Sequence, residues 1–127
     1  MIKGIHHIAI RVTDFDRSFA FYTEVLGMKP VITWGEGNSR AVMLDTGDGN
    51  CIEMFAGGEK APEGSWCHLA LRSDDCDKDF AAAVAAGATV KSEPNSITIN
   101  GKPEPLPIRI AFVYGYDGEI IEFFQLR

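Results

Sequence analysis

Polar and apolar positions alternate along "IHHIAIRV" (5–12). Ile8, Ile10 and Val12 fall on one side of an extended chain, and His7, Ala9 and Arg11 on the other. The next stretch, "TDFDRSFAFYTEVLG" (13–27), changes period. Thr and Asp stand ready to cap, Phe15, Phe19, Tyr22 and Leu26 recur at helical spacing, and Gly27 closes the segment. Three strand-like runs follow, "MKPVITW", "RAVMLDT" and "CIEMFA", the last two joined by the turn "GDGN". The order is βαβββ.

The same order then returns. "CHLALRS" reads as a strand, 75–86 as a helix closing at Gly87, and "TVKS" as a short strand. "PIRIAFVYG" and "EIIEFFQL" form a final pair around "DG" at 117–118. Residues 7–19, "HIAIRVTDFDRSF", align with 68–80, "HLALRSDDCDKDF", matching His7 to His68, Arg11 to Arg72 and Phe19 to Phe80. The first strands lie 61 residues apart and the last strands, carrying Glu53 and Glu122, lie 69 apart. The second unit therefore holds about eight extra residues, assigned to "SEPNSITINGKPEPLP" (92–107), a Pro-, Asn- and Gly-rich loop whose 93–107 stretch is either a lid or a plain connection. The expectation is one α+β domain over 1–127. Its first module covers about 1–57, its linker 57–65 and its second module about 66–127.

The aliphatic face of each first strand should pack on its own helix. The opposite face presents a histidine, a small residue and an arginine, twice. His6 is expected to point away from His7 in a structural role. Glu53 and Glu122 sit among large apolar residues, where an unpaired carboxylate costs several kcal/mol. A lone strand histidine is ordinarily a hydrogen-bonded structural residue, and Arg11 and Arg72 could pair with the glutamates, so an ion-pair cluster is one reading. The other is that two imidazoles and two carboxylates, recurring in matching places, ligate zinc, nickel, iron or manganese. A bound cation would offset the cost of burying both carboxylates. Cys51 lies two residues before Glu53 on the same face and reads as a buried thiol.

Composition narrows the partners. The chain has 127 residues, 46% of them hydrophobic, with a net charge of −6, which disfavours nucleic acid and anionic membrane surfaces. No apolar run approaches the roughly 20 residues of a membrane helix. The start lacks signal-peptide features, and three cysteines without a CxxC pair argue against a disulfide framework, so a cytoplasmic protein is expected. No GxSxG, P-loop or GxGxxG motif is present.

Through "HHIAIRVTDFDRSFAFYTEVLGMK", "NCIEMF", "CHLALRSDD" and "DGEIIEFF", the chain resembles the vicinal oxygen chelate superfamily along essentially its whole length. That superfamily includes glyoxalase I, methylmalonyl-CoA epimerase, extradiol dioxygenases and fosfomycin- and bleomycin-resistance proteins. The resemblance implies paired βαβββ modules curling around one divalent metal, held by His7, Glu53, His68 and Glu122. Zinc or nickel is expected first, with iron, cobalt or manganese as alternatives. A His, Glu, His, Glu set is similar to that of glyoxalase I. It implies a lyase or isomerase in which Glu122, or Glu53 as second base, moves a proton through a metal-stabilised enediolate. Arg11 matches an arginine that helps hold glutathione, and Arg11 and Arg72 are the candidate substrate anchors. Gly57 stands where a glutathione-contacting asparagine is expected. The implied substrate is a small molecule, a thiol adduct or an anionic 2-hydroxycarbonyl, and the implied assembly a homodimer. An epimerase, an iron-dependent dioxygenase and a small-molecule-binding resistance protein are the alternatives.

Overall fold

The computed structural model describes residues 1–25, 27–59, 65–114 and 120–127. Leu26, most of the expected linker and the 117–118 turn lie outside the described residues. Strands β1 (Ile2–Arg11), β2 (Lys29–Trp34), β3 (Ala41–Asp45) and β4 (Cys51–Phe55) belong to the first half. Strands β5 (Trp66–Ser73), β6 (Thr89–Ile99), β7 (Leu106–Tyr114) and β8 (Ile120–Leu126) belong to the second. They form one mixed sheet in the order β2-β3-β4-β1-β5-β8-β7-β6. β1 runs parallel to β4, β5 runs parallel to β8, and the two halves join through the antiparallel β1–β5 pair.

Each half carries its helix on the outer face. Helix α1 (Phe15–Ala20) opens with Arg17 N donating to Asp14 Oδ1 and continues as a wider π turn over Phe21–Val25. Phe15, Phe19 and Tyr22 cover Ile10, Val42, Leu44 and Met54. Helix α2 (Cys76–Ala85) is capped by Asp75, whose side chain accepts from Lys78 N. Cys76 and Phe80 pack on Ala111, Val113 and Phe123. These two clusters are the expected aliphatic-face cores.

A third cluster fills part of the inner face: Ile32, Met43, Cys51, Ala70, Ile108 and Phe124, with Ile99 and Leu106 against it. It brings the two outer strands of the sheet together. β2 meets the β6–β7 hairpin through two backbone hydrogen bonds, Thr33 N to Lys102 O (2.9 Å) and Lys102 N to Thr33 O (2.8 Å). Gly101 makes this clasp fit. A Cβ there would lie 2.5 Å from Ile32 Cγ1 and 2.6 Å from Thr33 O.

The hairpin corrects one expectation. Only 100–105 of the 92–107 segment connect strands, because β6 runs through Ile99 and pairs with β7 from Thr89 to Ile99. β6 is an edge strand, and the register shift between Ser92 and Asn95 takes up Pro94 where no ladder bond is demanded. The β-branched run Ile97-Thr98-Ile99 then resumes the pairing. Clasped to β2, this segment is part of the sheet rather than a lid.

Candidate metal centre

The inner face gathers the four predicted residues. His7 stands on β1, Glu53 on β4, His68 on β5 and Glu122 on β8, and their ligand atoms lie within 4.8 Å of one another. His7 Nε2 lies 2.5 Å from Glu53 Oε2, 3.0 Å from Glu122 Oε2 and 3.1 Å from His68 Nε2. His68 Nε2 lies 2.9 Å from Glu122 Oε2 and 3.8 Å from Glu53 Oε2. A single chain brings all four together.

The register explains the convergence. In the parallel pairs, Ala9 lies opposite Glu53 and Ala70 opposite Glu122; across the halves, Ala9 faces His68 and His7 faces Ala70. Two alanines, both fully buried, leave room between the longer side chains. The four are unequally sheltered. Side-chain exposure is 0% for His7, 5% for Glu122, 10% for Glu53 and 13% for His68.

Burial alone would lower the His7 pKa, but the adjoining Glu122 and Glu53 carboxylates raise it to about 9. Burial pushes the Glu122 carboxyl up, while His68 and His7 outweigh it and hold the group below its ordinary range. The cluster still leaves Glu122 Oε2, among the described residues, without a hydrogen bond of good geometry. A buried carboxylate oxygen without such a partner is costly. Two imidazole nitrogens pointed at each other also need something between them. A divalent cation fits both features, and the donor set of two nitrogens and two oxygens is one that such cations accept.

The neighbours were less legible in the sequence. His6 does not point away from His7. Its Nδ1 lies 2.8 Å from His7 Nδ1, and its ring stacks on Phe124 at 3.9 Å. The reason is a β-bulge, since the register steps from Ile5–Leu71 to His7–Ala70, two residues on β1 against one on β5. Burial, then the neighbouring His7 and Arg72, lower the His6 pKa to about 4. Cys51 is buried in the inner cluster, and burial raises its thiol to about 11, in keeping with an inert core residue.

Arg11 lies over the Phe55 ring at 5.3 Å, with one long bond of 3.4 Å to Ala56 O. Arg72 donates to Gly49 O and Asn50 Oδ1, each at 3.1 Å, and so is tied to the β3–β4 turn. Phe112 meets His68 edge-on at 5.7 Å, on the more exposed side of the cluster. Trp34 touches Phe55 and also lines a groove of about 630 Å³ with Phe15, Arg40 and Lys102. At Gly57 the backbone is left-handed (φ 74°), and a Cβ would meet Asn38 O at 3.0 Å, which favours glycine over a side chain there.

Comparison with known proteins agrees with this architecture. Over 98% of its length the chain is 37% identical to the uncharacterized protein YwbC of Bacillus subtilis (strain 168), of which the match covers 99%. It is 32% identical to a probable lactoylglutathione lyase of Vibrio parahaemolyticus, over 95% of this chain and 89% of the relative. Among solved structures, methylmalonyl-CoA epimerase from Mycobacterium tuberculosis superposes with a TM-score of 0.75 at 23% identity, covering 99% of this chain and 89% of that one. A methylmalonyl-CoA epimerase in complex with methylmalonyl-CoA and NH4+ gives 0.75 at 22% identity, covering 99% and 96%. At such identities these likenesses speak for the fold alone. Members of the matching family are mostly enzymes, they commonly bind a divalent metal, and they act on small molecules. No helix among the described residues is long and apolar enough to cross a membrane. Residues 4–103 match the family model, and the chain belongs to the Glyoxalase/Bleomycin resistance protein/Dioxygenase superfamily.

Proposed function

We propose that this protein is a metal-dependent lyase or isomerase of the glyoxalase I kind. It moves a proton between adjacent carbons of a small substrate that carries two neighbouring oxygens. The observation that carries the reading is the cluster itself: two imidazoles and two carboxylates converge, and one buried carboxylate oxygen has no hydrogen bond of good geometry.

His7, Glu53, His68 and Glu122 would hold the ion, which when bound supplies Lewis-acid polarisation of the substrate oxygens. Glu122 acts as general base. It takes the proton from the hydroxyl-bearing carbon, and the electron pair shifts toward the neighbouring carbonyl. The same carboxyl then returns that proton to the adjacent carbon while the hydroxyl proton passes to the former carbonyl oxygen, so that the first carbon becomes the new carbonyl. Glu53, held 2.5 Å from His7, remains in place as ligand and second base. Substrate approaches from the His68 side, where exposure is greatest and Phe112 forms a wall. Arg11, with donors to spare, anchors a substrate anion. Arg72 can join it only with donors that the turn leaves over.

The test is solvent exchange. Loaded with zinc or nickel, the protein should wash deuterium into the carbon-bound position of a hemithioacetal of methylglyoxal, without consuming oxygen. Glutathione and other thiols should be compared, since Gly57 offers no side chain to the adduct. Metal-dependent oxygen uptake with a catechol would overturn this reading. Exchange confined to a 2-methyl acyl thioester would favour an epimerase using the same base. Superfamily members often form dimers, and we read this chain as a homodimer, which light scattering would check.

A further inference from the structure

We propose that His6 is a positioning residue, one that fixes the tautomer and orientation of His7 so that His7 Nε2 faces a divalent cation. The inference rests on the metal reading above.

His7 has two ring nitrogens with different surroundings. Nε2 faces Glu53, Glu122 and His68, and among the described residues Nδ1 meets another imidazole nitrogen, His6 Nδ1, at 2.8 Å. At that distance one proton must lie between the two Nδ1 atoms, because two lone pairs would repel. If His6 supplies it, a neutral His7 carries its own proton on Nε2 and cannot ligate there. If His7 supplies it, Nε2 is left with a free lone pair aimed at the cluster, and His6 is the acceptor with its own proton on Nε2. Only the second arrangement suits a cation. Partners of this kind, which orient a ligand histidine through its other nitrogen, typically carry 10–100-fold in metal affinity.

The fold is built to put His6 there. The bulge in β1 turns its ring to the same side as His7, and Phe124, 1% exposed, holds that ring by stacking. The second half repeats the bulge. The register steps from Ala9–His68 to Ile10–Trp66, which leaves Cys67 as the extra residue on β5. Cys67 occupies the position that matches His6, yet its thiol donates to Ser65 O at 3.7 Å rather than to His68. The bulge alone therefore does not require an imidazole. The additional imidazole stands only beside the fully buried ligand.

The experiment titrates Co²⁺ into the wild type, His6→Phe and His6→Asn, following affinity and the visible absorption of the bound ion. His6→Phe keeps an aromatic ring against Phe124 but removes the acceptor. Asn places an acceptor oxygen about where Nδ1 lies. Expected are a loss of about 10–100-fold in Co²⁺ affinity and a shifted spectrum for His6→Phe, with most of both restored by His6→Asn. Wild-type affinity and spectrum in His6→Phe, or an equal loss in both variants, would overturn the proposal while leaving the metal reading intact. A wild type that takes up no Co²⁺ would overturn the metal reading, and this proposal with it. Should His6→Phe fail to fold, long-range ¹H–¹⁵N spectra of the zinc-loaded wild type decide the matter. The expected protons are on His7 Nδ1 and His6 Nε2, and a proton on His7 Nε2 would overturn the proposal.

Discussion

The two halves of the sheet share strand order, an outer helix and a central bulge, yet they shelter their histidines differently. His7 is fully buried behind His6 and Phe124, on the side packed with Cys51 and Ile108. His68 has the greatest exposure of the four and meets Phe112 edge-on. The arginines repeat the contrast, with Arg72 tied to a turn and Arg11 lightly held. Duplication thus supplied two matching histidine–glutamate pairs, and the surrounding packing shelters His7 more than His68 while it buries Glu122 more than Glu53.

The largest effect should come from the proposed base. With metal restored to equal occupancy, Glu122→Gln should slow deuterium exchange by about 10²–10⁴-fold, the usual contribution of a general base. An unchanged rate would remove Glu122 from the chemistry and turn attention to Glu53.

Next is a contrast in stability. His7→Ala leaves Glu53 and Glu122 buried without their main counter-charge and should cost the metal-free protein about 3–5 kcal/mol. His68→Ala, nearer solvent, should cost about 1–3 kcal/mol. Urea unfolding of both variants checks this, and equal losses would erase the distinction between the two sides.

The pH profile separates a proton from a cation at His7. Its folded pKa, raised to about 9, contributes stability that is complete below the ordinary value of 6.5 and disappears as pH rises through about 9. Glu122, depressed below its ordinary 4.5, contributes stability present above that value and lost as pH falls through its folded pKa. His6, buried and lowered to about 4, opposes this on the acid side, because its contribution is complete above 6.5 and is lost as pH falls toward 4. The metal-free protein should therefore be most stable near pH 6.5 and weaken toward both acid and alkaline pH. Saturating zinc should flatten the alkaline decline, as measured by thermal unfolding from pH 5 to 10. A decline that zinc leaves unaltered would mean that zinc does not take the proton's place.

The smallest change concerns the clasp. Gly101→Ala pushes a methyl group into Ile32 and the Thr33 carbonyl and should destabilise by about 1–3 kcal/mol. Exposure of the inner cluster should rise, which hydrogen exchange at Thr33 and Lys102 would reveal. Unchanged exchange would show that the hairpin tip yields without loosening the sheet.

Much of this was legible in the chain. Alternation located the strands, and the repeat singled out His7, Glu53, His68 and Glu122, because chance seldom places the same two donor types on the first and last strands of both units. The bulge at His6 was not legible. Strict alternation sends residue 6 to the opposite face, and nothing local marks a strand that gains a residue against its partner. The length of β6 was hidden by Pro94 and Asn95, which signal a turn anywhere except at an irregular edge strand. Arg72 looked equivalent to Arg11, and only the folded β3–β4 turn distinguishes them.

The clasp between Thr33 and Lys102 also bears on how the protein reaches its native state. It joins segments far apart in the chain, and the β1–β5 seam joins residues just as distant. Such contacts become favourable only after large loops have closed, which slows the search. Neither half has more than two of the four donors, so an ion has little to gain from a half-folded chain. It can reward only the encounter of both halves, and so should slow unfolding more than it speeds folding.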